Sequence, residues 1–127
     1  MLLAAGFSLI LGLALNQLIL LFIQRDRPYI IGVTNLFIAP SGDPSFPSDH
    51  ATAAFAIATV FLVHRFRGSK TLLVAAILVS MSRIYVGTHF ISDIVGGAIT
   101  GMLAAGAIVW VYREGCRAEQ YLKNILK

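Results

Sequence analysis

The chain has 127 residues, 57% of them hydrophobic and 13% charged, with a formal net charge of +4, and its mean hydropathy is +0.81. That length suits one domain, and a soluble domain of this size could not hide so much apolar surface from water, so its natural solvent is a bilayer. The basic residues form no continuous stripe and no binding motif, which argues against a nucleic-acid partner, and the single cysteine, Cys116, allows no intrachain disulfide.

The first apolar run, residues 2–24 (LLAAGFSLILGLALNQLILLFIQ), is long enough to cross the hydrocarbon layer, which takes about 20 residues. It lacks the basic start of a secretory signal. RDRP closes it, and Pro28 is expected to stop the helix because its ring cannot continue the hydrogen-bond ladder. A second run, 50–64, is short unless Pro47 to Asp49 begin its helix; a third covers 71–87 and a fourth 91–112. Between them, 28–46 reads as an interfacial loop. Gly97, Gly101 and Ala105 recur every four residues, a spacing that lets a neighbouring backbone approach closely. In the tail, 113–127, Ala118, Tyr121, Leu122, Ile125 and Leu126 follow helical spacing beside Lys123 and Lys127, as in an amphipathic helix at the cytoplasmic interface. The expected fold is all-α: a single domain over 1–127, a polytopic transmembrane helical bundle of about four spans. Met1 opens straight into apolar sequence, which points to a shortened chain lacking upstream helices.

Counting crossings brings the polar groups together. If each run crosses once, Arg25, Arg27, His50, Arg83, His89 and Asp93 all arrive at one face, although they are scattered along the sequence. The opposite face carries Arg65, Arg67, Lys70, Arg113, Arg117, Lys123 and Lys127 against Glu114 and Glu119. Positive charge favours the cytoplasm, so the histidine-bearing face is expected to be external or periplasmic.

Ionisable groups beside hydrocarbon are costly, and each cluster has an ordinary explanation to be weighed against a functional one. Arg25 and Arg27 could anchor the end of the first span at the interface. Ser48 could cap the second helix, with Asp49 in its first turn, although a helix N-terminus also suits a phosphate. Arg83 could pair with Asp93 beside a satisfied histidine. If the last helix starts near His89, then His89 and Asp93 share a face at i and i+4, and a carboxylate there would fix the imidazole tautomer. Arg83 offers a planar fork that matches phosphate oxygens. Taken together, the groups are what phosphoryl transfer through an imidazole needs. Cations and N–H donors meet the charge on the phosphoryl oxygens, one histidine attacks, and another protonates the departing oxygen.

The sequence resembles the type 2 phosphatidic acid phosphatase superfamily, whose signature runs Lys-x6-Arg-Pro, Pro-Ser-Gly-His, Ser-Arg-x5-His-x3-Asp. Here stand Arg27-Pro28, then Pro47-Ser48-Asp49-His50, then Ser82-Arg83 followed by His89 and Asp93. Leu20 occupies the lysine position and Asp49 the glycine position. Asn16, SFPSDHAT and SRIYVGTHFISD are similar to one branch, the bacitracin-resistance type of undecaprenyl-diphosphate phosphatase. The resemblance implies an acid phosphatase/vanadium-haloperoxidase-like core. It makes His89 the nucleophile, forming a phosphohistidine, with Asp93 orienting it and His50 protonating the leaving group. Arg27, Ser48, Arg83 and Arg25 would hold the phosphate, with Ser82 supporting them. No metal and no other cofactor is implied.

The implied activity is hydrolysis of undecaprenyl diphosphate at the external face of a bacterial plasma membrane, regenerating the carrier used in wall synthesis. The motifs recognise a phosphate rather than a lipid tail, so phosphatidate, phosphatidylglycerol phosphate and lipid A phosphates remain alternative substrates. A non-catalytic helix-packing or lipid-binding module and a metal-dependent membrane hydrolase are the rivals from other classes. Membrane lipids are the expected surroundings, and the oligomeric state is not legible.

Overall fold

The computed structural model describes the backbone of residues 1–125 and the side chains of residues 1–116. Four helices follow one another: α1 Leu2–Leu20, α2 Asp49–Val63, α3 Ser69–Tyr85 and α4 Ile91–Ile125. Among the described residues two segments, Leu2–Leu20 and Ile91–Cys116, are long and apolar enough to cross a membrane, whereas α2 is apolar but shorter, at 15 residues. α2 lies at the centre, against all three other helices; α4 packs on α1 and α2, and α3 flanks α2 while barely meeting α4.

Small residues set these contacts. At Gly97 a β-carbon would collide with the Ser48 carbonyl, and one turn on Gly101 presses equally close to the backbone at Thr52, so α2 and α4 meet main chain to main chain. Further along, Ala4, Ala5, Val60, Ala105 and Val109 form a compact apolar core. Large apolar side chains such as Leu3, Ile10, Leu103 and Trp110 point outward, an arrangement that suits surrounding hydrocarbon rather than water.

Two boundaries differ from expectation. α1 ends at Leu20, well before Pro28, so the proline is not what stops it. A last turn continues to Ile23, and beyond it the chain is tied sideways: the Ser45 N–H donates to the Arg25 carbonyl at 2.7 Å, and the Arg25 side chain pairs with Asp93 of α4. At the other end, α4 runs on past residue 112 without a break. The apolar side chains expected to make the tail amphipathic, from Ala118 onward, lie outside the described residues.

Candidate active site

The connection between α1 and α2, the α2 N-terminus and the turn before α4 meet at one end of the bundle around a cavity of about 260 Å3. Arg27, His50, Arg83 and His89 all line it, with Thr88, Asp43 and Asp49 among the other polar groups and Leu20, Ile38 and Ala39 on an apolar side. At the opposite end, His64 and Arg113 share a second hollow, as alternating crossings require.

His89 is buried at the turn before α4. Its Nδ1 lies 2.8 Å from the Ser45 carbonyl. A carbonyl can only accept, so Nδ1 carries a proton, and in the neutral ring the lone pair is then on Nε2. That Nε2 is 3.4 Å from Nη1 of Arg27. Arg27 itself is buried, and three backbone or side-chain oxygens hold its fork: Nε donates to the Asp43 carbonyl at 2.8 Å, Nη1 to the Thr88 carbonyl at 3.3 Å, and Nη2 to Ser41 Oγ at 3.4 Å. A free interfacial anchor would make none of these bonds. Arg83 is held through Nε, which donates to Ser82 Oγ at 3.3 Å, and Ser82 in turn donates to the Val79 carbonyl at 2.6 Å.

Asp93 is completely buried behind His89. Its Oδ2 accepts from Ser45 Oγ and, at 2.8 Å, from the Phe90 N–H, while Oδ1 pairs with Arg25 Nη1 at 3.0 Å. The distance from Oδ2 to His89 Nδ1 is 3.7 Å, so the direct acceptor of the imidazole proton is the Ser45 carbonyl rather than the expected carboxylate.

Two of the expected phosphate ligands are occupied elsewhere. Arg25 does not line the cavity: it pairs with Asp93, donates to Ser92 Oγ at 2.6 Å, and stacks 4.1 Å over the Phe90 ring. Ser48 is fully buried, and its Oγ accepts from the Ala51 N–H at 3.5 Å as the cap of α2, while its own N–H donates to the Asp93 carbonyl at 3.1 Å. Ser82 also stands outside the cavity and acts on Arg83.

The departure at Asp49 has a structural partner. Asn16, buried in α1, donates from Nδ2 to Asp49 Oδ1 at 2.7 Å and to Thr52 Oγ1 at 2.9 Å. Thr52 Oγ1 in turn donates to the Gly97 carbonyl at 3.0 Å. The extra carboxylate is thereby tethered at the cavity wall by an amide. His50 stands in the exposed first turn of α2, outside the two span-length segments. Desolvation at the wall, then the neighbouring Arg83 and His89, and last Arg27, hold its imidazole below the usual histidine range; Asp49 pushes the other way. Sequence reasoning quoted Ser45 within SFPSDHAT and Asn16 beside it, but missed the contacts of Ser45 and the Asn16–Asp49 tether. Ser45 lies two residues ahead of Pro47 and shares no helix register with its partners, so no spacing rule points to its role.

A cavity with two arginine forks, one imidazole lone pair aimed inward and a second histidine at its mouth can seat a tetrahedral anion and move a proton. The sequence profile of the PAP2 superfamily matches residues 1–115. The chain belongs to the PAP2 superfamily. Among PAP2 relatives it is 33% identical over 119 residues to the putative undecaprenyl-diphosphatase YbjG of Escherichia coli (strain K12), covering 85% of this chain and 60% of that protein. It is 34% identical over 99 residues to the undecaprenyl-diphosphatase BcrC of Bacillus subtilis (strain 168), covering 78% of this chain and 51% of that protein. The crystal structure of the first transmembrane PAP2 type phosphatidylglycerolphosphate phosphatase from Bacillus subtilis superposes with a TM-score of 0.70 at 27% identity, over 88% of this chain and 59% of that one. The chain thus spans about half to three fifths of the length of the curated relatives it matches. With two span-length apolar segments and a transmembrane relative, its place is the membrane.

Proposed function

We propose that this PAP2 chain carries the catalytic centre of a membrane lipid-phosphate hydrolase, with undecaprenyl diphosphate as substrate. The observation that carries the reading is the inward-facing Nε2 of His89, set 3.4 Å from Arg27 in a cavity that Arg83 and His50 also line. The terminal phosphate sits between the two guanidinium groups. Nε2 of His89 attacks phosphorus, the bond from phosphorus to the bridging oxygen breaks, and protonated His50 gives its proton to the departing lipid monophosphate. Neutral His50 then takes a proton from water, the resulting hydroxide adds to phosphorus, and the P–N bond breaks to release inorganic phosphate. Arg27 and Arg83 neutralise the equatorial oxygens throughout, a role that in other phosphoryl transfers falls to metal ions. The reaction is therefore metal-independent in this reading.

The polyprenyl substrate is supported by two relatives of 33–34% identity named as undecaprenyl-diphosphatases, and by the apolar Leu20, Ile38 and Ala39 at the cavity wall, where a lipid tail can leave. The excess of basic residues at the other end of the bundle supports an external active site in a bacterial plasma membrane and a role in recycling the wall-synthesis carrier. A second reading, phosphatidylglycerol phosphate, is favoured by the structural likeness to a phosphatase of that lipid. Phosphate release from the two lipids in detergent, with chelator present, separates them. Faster turnover of the polyprenyl diphosphate is expected, and its loss in His89→Ala; turnover undiminished by that substitution discards the assigned nucleophile.

A further inference from the structure

Ser45 opens the SFPSDHAT stretch but stands at no fixed position of the three-part signature, yet it is fully buried and uses every polar group it has. Its N–H donates to the Arg25 carbonyl at 2.7 Å, its carbonyl accepts from His89 Nδ1 at 2.8 Å, and its hydroxyl donates to Asp93 Oδ2. Asp93, meanwhile, is 3.7 Å from that imidazole nitrogen, beyond hydrogen-bond range.

We propose that Ser45 is a positioning residue for the nucleophile, coupling buried Asp93 to His89 through a hydroxyl on one side and a carbonyl on the other. The carbonyl holds a proton on Nδ1, so in the neutral ring the lone pair falls on Nε2, the nitrogen that faces the cavity. The hydroxyl ties the carboxylate to the same residue, so Arg25, the Phe90 N–H and Asp93 together fix where that carbonyl stands. Asp93 then acts on the imidazole largely at second hand. A carboxylate one residue removed still favours the positive charge that develops on the ring as Nε2 bonds phosphorus, while the shorter, neutral contact sets ring orientation. The inference rests on His89 being the nucleophile.

The two claims fail differently. Ser45→Ala keeps the carbonyl and deletes the link to Asp93. It is expected to lower kcat about 10-fold with KM within about twofold, since the lost bond matters in the transition state rather than in binding. Ser45→Thr, which restores a hydroxyl, is expected to recover most of that loss. In an Asp93→Asn background, already slow, Ser45→Ala is expected to cost almost nothing more, because the two act as one unit. Wild-type kcat in Ser45→Ala, a loss expressed in KM, or losses from Ser45→Ala and Asp93→Asn that simply multiply each overturn the proposal. If Ser45→Thr does not fold, the double-substitution cycle decides alone. Residual turnover in His89→Ala equal to wild type would instead remove the nucleophile assignment, and with it the premise.

Discussion

Nη1 of Arg27 lies 3.4 Å from Nε2 of His89, so in the proposed reaction the cation that holds the phosphoryl group also faces the nitrogen that attacks it. A phosphate oxygen arriving there would take over this donor and leave the lone pair facing phosphorus. The guanidinium can do this because three of its other four N–H donors are already held by Asp43, Ser41 and Thr88, which fixes the fork in advance. Lysine keeps the charge and loses the fork. Arg27→Lys is therefore expected to lower kcat/KM by about 100-fold or more, on the scale of removing one preorganised donor, in a phosphate-release assay on the lipid diphosphate. Activity within a few-fold of wild type would mean that charge alone suffices.

The pH profile should report on Asp49. It opposes the other influences on His50 by favouring the imidazolium, the form a general acid needs. In Asp49→Asn that support is gone, His50 gives up its proton at lower pH, and the alkaline limb of kcat/KM moves down the pH scale. Asparagine retains an oxygen to accept from Asn16, so the tether can survive the change. A limb that stays in place or moves up would remove Asp49 from the electrostatics of the acid.

Much of this arrangement was legible before any coordinates. Four apolar runs broken by charged or turn-forming stretches give the four helices, and their alternation puts Arg27, His50, Arg83 and His89 at one end. Ser48 before Asp49 is a cap signal that depends only on neighbours in sequence, and it appears as a cap. What could not be read depends on contacts between distant segments. Arg25 and Arg27 look equivalent in QRDRP, yet one is drawn to Asp93 and Phe90 while the other turns into the cavity. The Ser45–Arg25 main-chain bond accompanies this division, and a main-chain bond leaves no trace in residue type.

Leu20, standing where the family signature has lysine, forms part of the apolar side of the cavity. Leu20→Lys would add a cation there. Inorganic phosphate, which has no tail to lose contacts, should then bind more tightly, by about 3–10-fold for one partly solvated charge-assisted contact. The inhibition constant of orthophosphate measures this directly, and the gain should shrink as ionic strength rises. An unchanged constant would place the new ammonium outside reach of the bound anion.

The close approach of α2 and α4 joins packing to the site. A side chain at Gly97 meets the Ser48 carbonyl and crowds Ala51 and Thr52, while the Ser48 N–H donates to the Asp93 carbonyl one turn earlier on α4. Forcing the helices apart at Gly97 therefore strains the α2 cap and the base of the active-site cluster together. Gly97→Val is expected to destabilise the fold by about 1–3 kcal/mol, the usual cost of overpacking, seen as a lower Tm in detergent. Because Ser45, Asp93 and His89 are held through that same corner, kcat should fall further than the unfolded fraction accounts for. Gly106, which has open space around it, supplies the control: Gly106→Ala should leave both Tm and kcat near wild type. Equal losses from the two substitutions would show that helix composition, rather than contact at Ser48, governs the response.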